Sequence, residues 1–192
     1  MDTNTLLHEN ITFDKVKWSG ERAHDRVFEQ CTFNQCDLSG SDFARSRFTD
    51  CTFNGCNLAM MKLGNVSLNN AGFNGCKLLG VDFSECKGML FSASFTQCMM
   101  DHAIFTGRTM EGTRFSQCSM KGTDFEGTVL DRAVFDDCDL SDAVFQATQL
   151  READFTNAHG FIIDPERNTV KGARFSLHGA VGLLLKYGVV IE

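Results

Sequence analysis

Large apolar side chains recur every five residues along almost the whole chain. From Phe13 the series runs Trp18, Ala23, Phe28, Phe33, Leu38, Phe43, Phe48, Phe53, Leu58, Leu63, Leu68, Phe73, Leu78 and Phe83. Two residues before these centres stands a small side chain, as at Cys31, Cys36, Ser41, Ser46, Cys51, Cys56, Ala71 and Cys76. After Phe83 the phase slips by two. The series resumes at Leu90, Phe95, Met100, Phe105, Met110, Phe115, Met120, Phe125, Leu130, Phe135, Leu140, Phe145, Leu150 and Phe155, again with small residues such as Ala93, Cys98, Thr113, Cys118 and Cys138 in the preceding slot. The flanking positions are mostly polar or glycine.

A period of five matches neither the 3.6 of a helix nor the 2.0 of a strand. It fits a chain that turns a corner after each pentad, with one large and one small side chain pointing inward. Gly20, Gly40, Gly80, Gly107, Gly112, Gly122 and Gly127 fall two residues after a centre, where a corner tolerates unusual dihedrals. Four sides of five residues make a coil of twenty. Every twentieth centre, allowing for the slip, gives Phe13, Phe33, Phe53, Phe73, Phe95, Phe115, Phe135, Phe155 and Phe175. A second column reads Cys36, Cys56, Cys76, Cys98, Cys118 and Cys138. Both columns cross the slip intact, so it is an insertion of two residues between 84 and 89 and not a domain boundary. Outward ladders share the period, at Thr12, Thr32 and Thr52 and at Asn34, Asn54 and Asn74. The predicted architecture is all-β: a right-handed, four-sided β-helix over residues 1–176. About eight coils at the strand spacing of ~4.8 Å make a rod of about 40 Å.

The segments CDLSG (36–40), SDFAR (41–45), TDFEG (123–127), CDLSD (138–142) and ADFTN (153–157) resemble the A(D/N)LXX motif of the pentapeptide-repeat family. The resemblance covers residues from about 9 to 176 and implies the quadrilateral solenoid of that family.

The pattern degrades after Phe155, although Ala173 and Phe175 keep the phase. Residues 177–192 are predicted to cap the rod and to join two copies. Leu177, Ala180, Val181, Leu184 and Leu185 have helical spacing with Gly188 as the stop, and Val189, Val190 and Ile191 read as a final short strand. This is more apolar surface than one cap needs. It predicts a homodimer interface made of Leu177, Val181, Leu184, Leu185, Tyr187, Val189, Val190 and Ile191. The first nine residues are expected to cap the other end.

Composition narrows the chemistry. Eighteen phenylalanines against one tryptophan, one tyrosine and one proline fit a single structural slot filled many times. The nine cysteines are an odd number and suit reduced thiols. Pairs such as Cys31 and Cys36 stand five apart, on adjacent sides of the tube, unlike the convergent spacing of a zinc site. The histidines His8, His24, His102, His159 and His178 share no phase and read as surface residues. No phosphate loop, nucleophile elbow or carboxylate pair stands out, so neither an enzyme nor a cofactor is expected. The start carries no basic, apolar leader and no run is long enough to span a membrane, which predicts a soluble cytoplasmic protein.

The net charge of −7 argues against direct nucleic-acid binding and favours a basic protein partner. Between Gly122 and Glu166 eleven acids face only Arg132 and Arg151, a charge of −9 that leaves +2 for the rest. The candidate partner-binding residues are Asp124, Glu126, Asp131, Asp136, Asp137, Asp139, Asp142, Glu152 and Asp154. Within the family, the acidic dimeric members of the Qnr and MfpA type are mimics of duplex DNA that bind type II topoisomerases. The chain is similar to them in length, acidity and C-terminal cap, but lacks the long loops of the Qnr type. That resemblance implies DNA gyrase or topoisomerase IV as partner. The alternative is a scaffold that binds through an apolar patch, with Met60, Leu79 and Met99 outward on one side and Met89 and Phe91 on another.

Overall fold

The computed structural model describes residues 6–88 and 91–190. The chain winds into a parallel, right-handed β-solenoid of about eight coils with a short helix at its C-terminal end. Four coils carry two strands each: β1 (Leu7–Glu9) and β2 (Thr12–Asp14), β3 (Val27–Glu29) and β4 (Thr32–Asn34), β5 (Arg47–Thr49) and β6 (Thr52–Asn54), β7 (Ser67–Asn69) and β8 (Ala71–Asn74). The later coils carry one each, β9 (Ala93–Thr96), β10 (Arg114–Ser116), β11 (Val134–Asp136), β12 (Asp154–Phe155) and β13 (Arg174–Phe175). One face of the rod is a nine-stranded parallel sheet running from β2 to β13, and the neighbouring face is the four-stranded sheet β1-β3-β5-β7. The other two faces are held by single parallel bridges at the coil period, such as Lys17 to Asp37 to Asn57 and Arg22 to Asp42 to Lys62.

The phenylalanine column stands as the period requires. Phe13 pairs with Phe33, Phe33 with Phe53, Phe53 with Phe73, Phe73 with Phe95 and onward to Phe175. Successive rings are stacked at 4.6–5.3 Å, and Phe33 through Phe155 are buried. Burying each ring contributes on the order of 1.5–3 kcal/mol, so a solenoid whose coils meet only their neighbours is stabilised interface by interface. The corners lie where the glycines predicted them. Gly20, Gly40 and Gly80 have φ of +71°, +62° and +62°, and non-glycine residues such as Arg45, Met60, Asp137 and Asp142 share the left-handed conformation at equivalent corners.

The small slot has a second function that size alone does not reveal. Its side chain donates to the carbonyl of a centre in the preceding coil. The Cys36 thiol donates to Phe13, Cys56 to Phe33 and Cys76 to Phe53 at 3.3–3.4 Å. Thr123 donates to Met100, Thr128 to Phe105 and Thr148 to Phe125 at 2.9–3.1 Å. Cysteine, serine and threonine recur there because they are both small and able to satisfy a buried acceptor. All nine cysteines are free and buried. Burial pushes the Cys36 thiol up to about 11 and those of Cys51 and Cys86 to about 12.

Several expectations need correction. The ladder is regular up to the bond from the Lys87 amide to the Val66 carbonyl and irregular at the bond from Ser92 to Leu68. The two extra residues therefore enter between 87 and 92, partly beyond the expected 84–89. Phe91 does not point outward. It is only 8% exposed and packs edge-on against Phe83 and Phe105 at 5.8 and 6.3 Å, because an aromatic ring at the bulge gains more from the core than from water. Met89 and Leu90 lie outside the described residues. His8 is buried and not on the surface, stacked on Phe28 at 4.8 Å. It lies five residues before Phe13 and so occupies a centre. Residues 7–9 form the first strand of a sheet and not a separate cap.

Candidate functional site

The acid-rich coils do not present one stripe. Following the bridged columns around the rod, Asp136 and Asp154 lie on the nine-stranded face, Asp139 on the next, Asp124 and Glu126 on the third and Asp131 on the fourth. Asp137, Asp142 and Glu152 occupy corners, with φ of 53–59°.

Position within the pentad separates these acids into two groups. An aspartate just before a centre accepts the amide two residues on and locks the turn. Asp124 takes Glu126 at 2.8 Å, Asp139 takes Ser141 at 3.0 Å and Asp154 takes Thr156 at 2.9 Å. The Thr156 hydroxyl and amide hold the Asp154 carboxyl below its usual range. For Asp139, burial works upward, but the Ser141 hydroxyl and amide and Lys121 outweigh it. These are motif residues of the solenoid. Others are engaged across coils: Asp131 with the amide and guanidinium of Arg151 at 2.8 and 3.0 Å, Asp139 with Lys121 at 3.2 Å, Asp154 with Arg174 at 2.8 Å. Asp136 accepts from the Asn157 amide at 2.9 Å. Glu126, Asp137, Asp142 and Glu152 are exposed and, among the described residues, have no ion-pair partner.

The C-terminal cap begins at Ser176, whose hydroxyl accepts the Gly179 amide at 3.0 Å and starts α1 (Leu177–Ala180). Two 3-10 turns follow, Val181–Leu183 and Leu185–Tyr187, and Gly188 ends the second at φ +62°. The lid of the rod is Phe161, which leans on Phe155 and Phe175 at 5.3 and 5.7 Å. Gly179 and Gly182 permit this packing. A Cβ on Gly182 would stand 2.3 Å from the Phe161 carbonyl oxygen. Leu183 also packs on the core. Phe161 was not legible as the lid because it is out of phase with the pentads.

The Lys186 ammonium holds the cap, reaching Asp164 at 2.5 Å and Glu166 at 2.8 Å, while the Tyr187 hydroxyl donates to Glu166 at 2.8 Å. Asp164 and Glu166 thus belong to the cap, and Lys186 keeps both below the usual carboxylate range. The expected interface residues do face outward. Leu177 is 94% and Val190 86% exposed, Leu184, Leu185, Tyr187 and Val189 are exposed, and Val181 is half-buried. Val189 and Val190 follow the left-handed Gly188 and form no strand. Ile191 lies outside the described residues.

On the side held by the Lys77–Met99 bridge, Met60 is 64% exposed and Met99 45%, with Leu79 half-buried between them. Among the described residues no group of three histidine, cysteine, aspartate or glutamate side chains is placed to hold a metal ion, and no helix is long and apolar enough to cross a membrane.

The fold and its repeating contacts define a pentapeptide solenoid, and comparison with known proteins agrees. A model of the pentapeptide repeat region matches residues 26–105, and a model of eight pentapeptide repeats matches 110–146 and 118–157. These cover well over half the sequence, and the chain belongs to the pentapeptide-repeat family. No curated protein matches it significantly. Among solved structures, it is similar to trypsin-treated QnrB1, a plasmid-mediated fluoroquinolone resistance protein, with 21% identity over 98% of each chain and a TM-score of 0.58. It is also similar to HetL from the cyanobacterium Nostoc sp. strain PCC 7120, a pentapeptide repeat protein involved in heterocyst differentiation regulation. That match has 16% identity, covers 90% of this chain and 87% of HetL, and has a TM-score of 0.65. At these identities the likeness is one of fold.

Proposed function

We propose that this chain is a non-enzymatic acidic binding protein that presents its last coils as a mimic of duplex DNA. Its partner in this reading is a type II topoisomerase, DNA gyrase or topoisomerase IV, and its working form is a homodimer joined through residues 177–192. The observation that carries the reading is the set of exposed, unpaired carboxylates at Glu126, Asp137, Asp142 and Glu152, beside a cap whose apolar side chains face water. Pairing two caps about a twofold axis would put two acid-rich sections at the centre of a rod of about 80 Å. At 3.4 Å per base pair along a strand, that length corresponds to roughly two dozen base pairs. The fold likeness to QnrB1, a fluoroquinolone resistance protein, supports a role in relieving drug inhibition of such an enzyme.

The test is a gyrase supercoiling assay with added protein, with and without a quinolone. Altered supercoiling, or restored supercoiling under drug, is the expected result. Absence of any effect on gyrase and on topoisomerase IV overturns the proposal.

The second reading, a scaffold of other specificity, is favoured by Met60, Leu79 and Met99 and fits the different role of HetL. Salt separates the two: mimicry of DNA weakens as ionic strength rises, and apolar docking does not.

A further inference from the structure

We propose that the cleft beside the insertion is a binding site for an oligophosphate anion. The cleft, of about 540 Å³, lies on the face of the four-stranded sheet and is lined by Arg45, Arg47, Asn65, Ser67, Lys87 and Gly88 among others. It holds three cations and no carboxylate among its lining residues, in a chain whose net charge is −7. Arg45 is partly neutralised by a two-pronged pair with Asp25 at 2.7 and 2.6 Å. Arg47 and Lys87 have no ion-pair partner among the described residues, and the Asn65 amide and Ser67 hydroxyl make no hydrogen bond there.

The cleft borders the insertion through Lys87 and Gly88. The Lys87 amide still donates to the Val66 carbonyl in the regular ladder, which fixes Lys87 at the edge of the cleft. The rim residue is Gly88, at φ +80°, with no atom within 4 Å of a Cβ built on it. Arg108 fixes the base of the bulge by donating to the Cys86 carbonyl at 2.7 Å, which adds a fourth cation nearby.

The spacing selects the ligand. Arg47 lies beside Ser67 in register, and Lys87 follows one coil further. Two coil rises separate Arg47 from Lys87, about 10 Å along the rod. A single phosphate is too short to meet both ends. A chain of phosphates spans them, with Ser67 and Asn65 donating to its middle and Arg47 gripping one end through its planar fork.

The experiment is calorimetric titration of the full chain, at fixed ionic strength, with inorganic triphosphate, orthophosphate and ATP. Triphosphate is expected to bind roughly tenfold more tightly than orthophosphate, and the Arg47→Gln, Lys87→Gln double variant to weaken triphosphate at least tenfold. Lys15→Gln, on another face, should change the affinity less than about twofold. ATP binding on a par with triphosphate identifies a nucleotide as an acceptable source of the chain. Triphosphate binding without ATP binding identifies the inorganic chain. Both support the site. Equal affinity for orthophosphate and triphosphate, no binding of either, or an equal loss in Lys15→Gln and the double variant overturns it. All three positions are exposed, and a melting curve for each variant separates lost binding from lost fold.

Discussion

The thiol of Cys98 donates to the carbonyl oxygen of Phe73 at 3.3 Å, although the two residues are 25 apart in sequence. Elsewhere in the column the same bond joins residues 23 apart, as from Cys76 to Phe53 and from Cys118 to Phe95. The column thus keeps its bond across the insertion, and the bond that closes the next coil is unaltered. Core register survives because the stacked rings and buried donors on the other faces leave no alternative of comparable energy.

The phenylalanine column makes a direct stability prediction. Phe115 is fully buried between Phe95 at 5.3 Å and Phe135 at 5.0 Å. Phe115→Ala should destabilise the protein by about 3–5 kcal/mol in urea unfolding, the cost of a buried aromatic cavity. A neutral outcome would contradict the assigned phase.

The cysteines predict a pH dependence. In the unfolded chain thiols release their protons near their ordinary value of 9, whereas burial holds Cys36 to about 11 and Cys51 and Cys86 to about 12. Between these limits the native state binds more protons than the unfolded one, so stability should fall as pH rises from about 9 toward 12. Denaturant midpoints across that range check the sign. At neutral pH, thiol labelling should be slow in the native protein and complete on unfolding.

Assembly is tested at the cap. Light scattering should give about twice the 21.3 kDa chain mass. Leu184→Asp with Leu185→Asp should give monomer or insoluble protein, since a charge buried at the interface would lack a partner. Both residues are exposed in the single chain, so the substitutions themselves leave the packing of Phe161 and Leu183 in place. Wild-type protein that stays monomeric at high concentration would exclude the dimer.

Charge reversal tests mimicry. Asp131 is a poor target, because it accepts the Arg151 amide and its loss would disturb the coil. Glu126→Lys, Asp137→Lys, Asp142→Lys and Glu152→Lys together should abolish any effect on gyrase while the fold persists. Lysine suits the corners at Asp137, Asp142 and Glu152, as Lys15 and Arg132 occupy equivalent ones at φ of 51° and 60°. An effect on the enzyme that survives the four reversals and high salt would move the partner site to Met60, Leu79 and Met99.

The sequence by itself determined the architecture. The period of five, the coil of twenty, the nine-membered phenylalanine column, the six-membered cysteine column and the positive-φ corners all stand as read, because each is one local rule repeated until stacking admits a single register. Tertiary structure decided what happens only once. Phe91 turns into the core at the bulge, His8 occupies a centre, and Phe161 closes the rod out of phase with the repeat. It also divided the acids. Arg151, Lys121, Arg174 and Lys186 reach carboxylates about twenty residues away in sequence and one coil away in space, leaving Glu126, Asp137, Asp142 and Glu152 without an ion pair among the described residues. A periodic pattern specifies which side chains point outward, but the partner that a long charged side chain selects depends on distances between coils that exist only once the rod has formed.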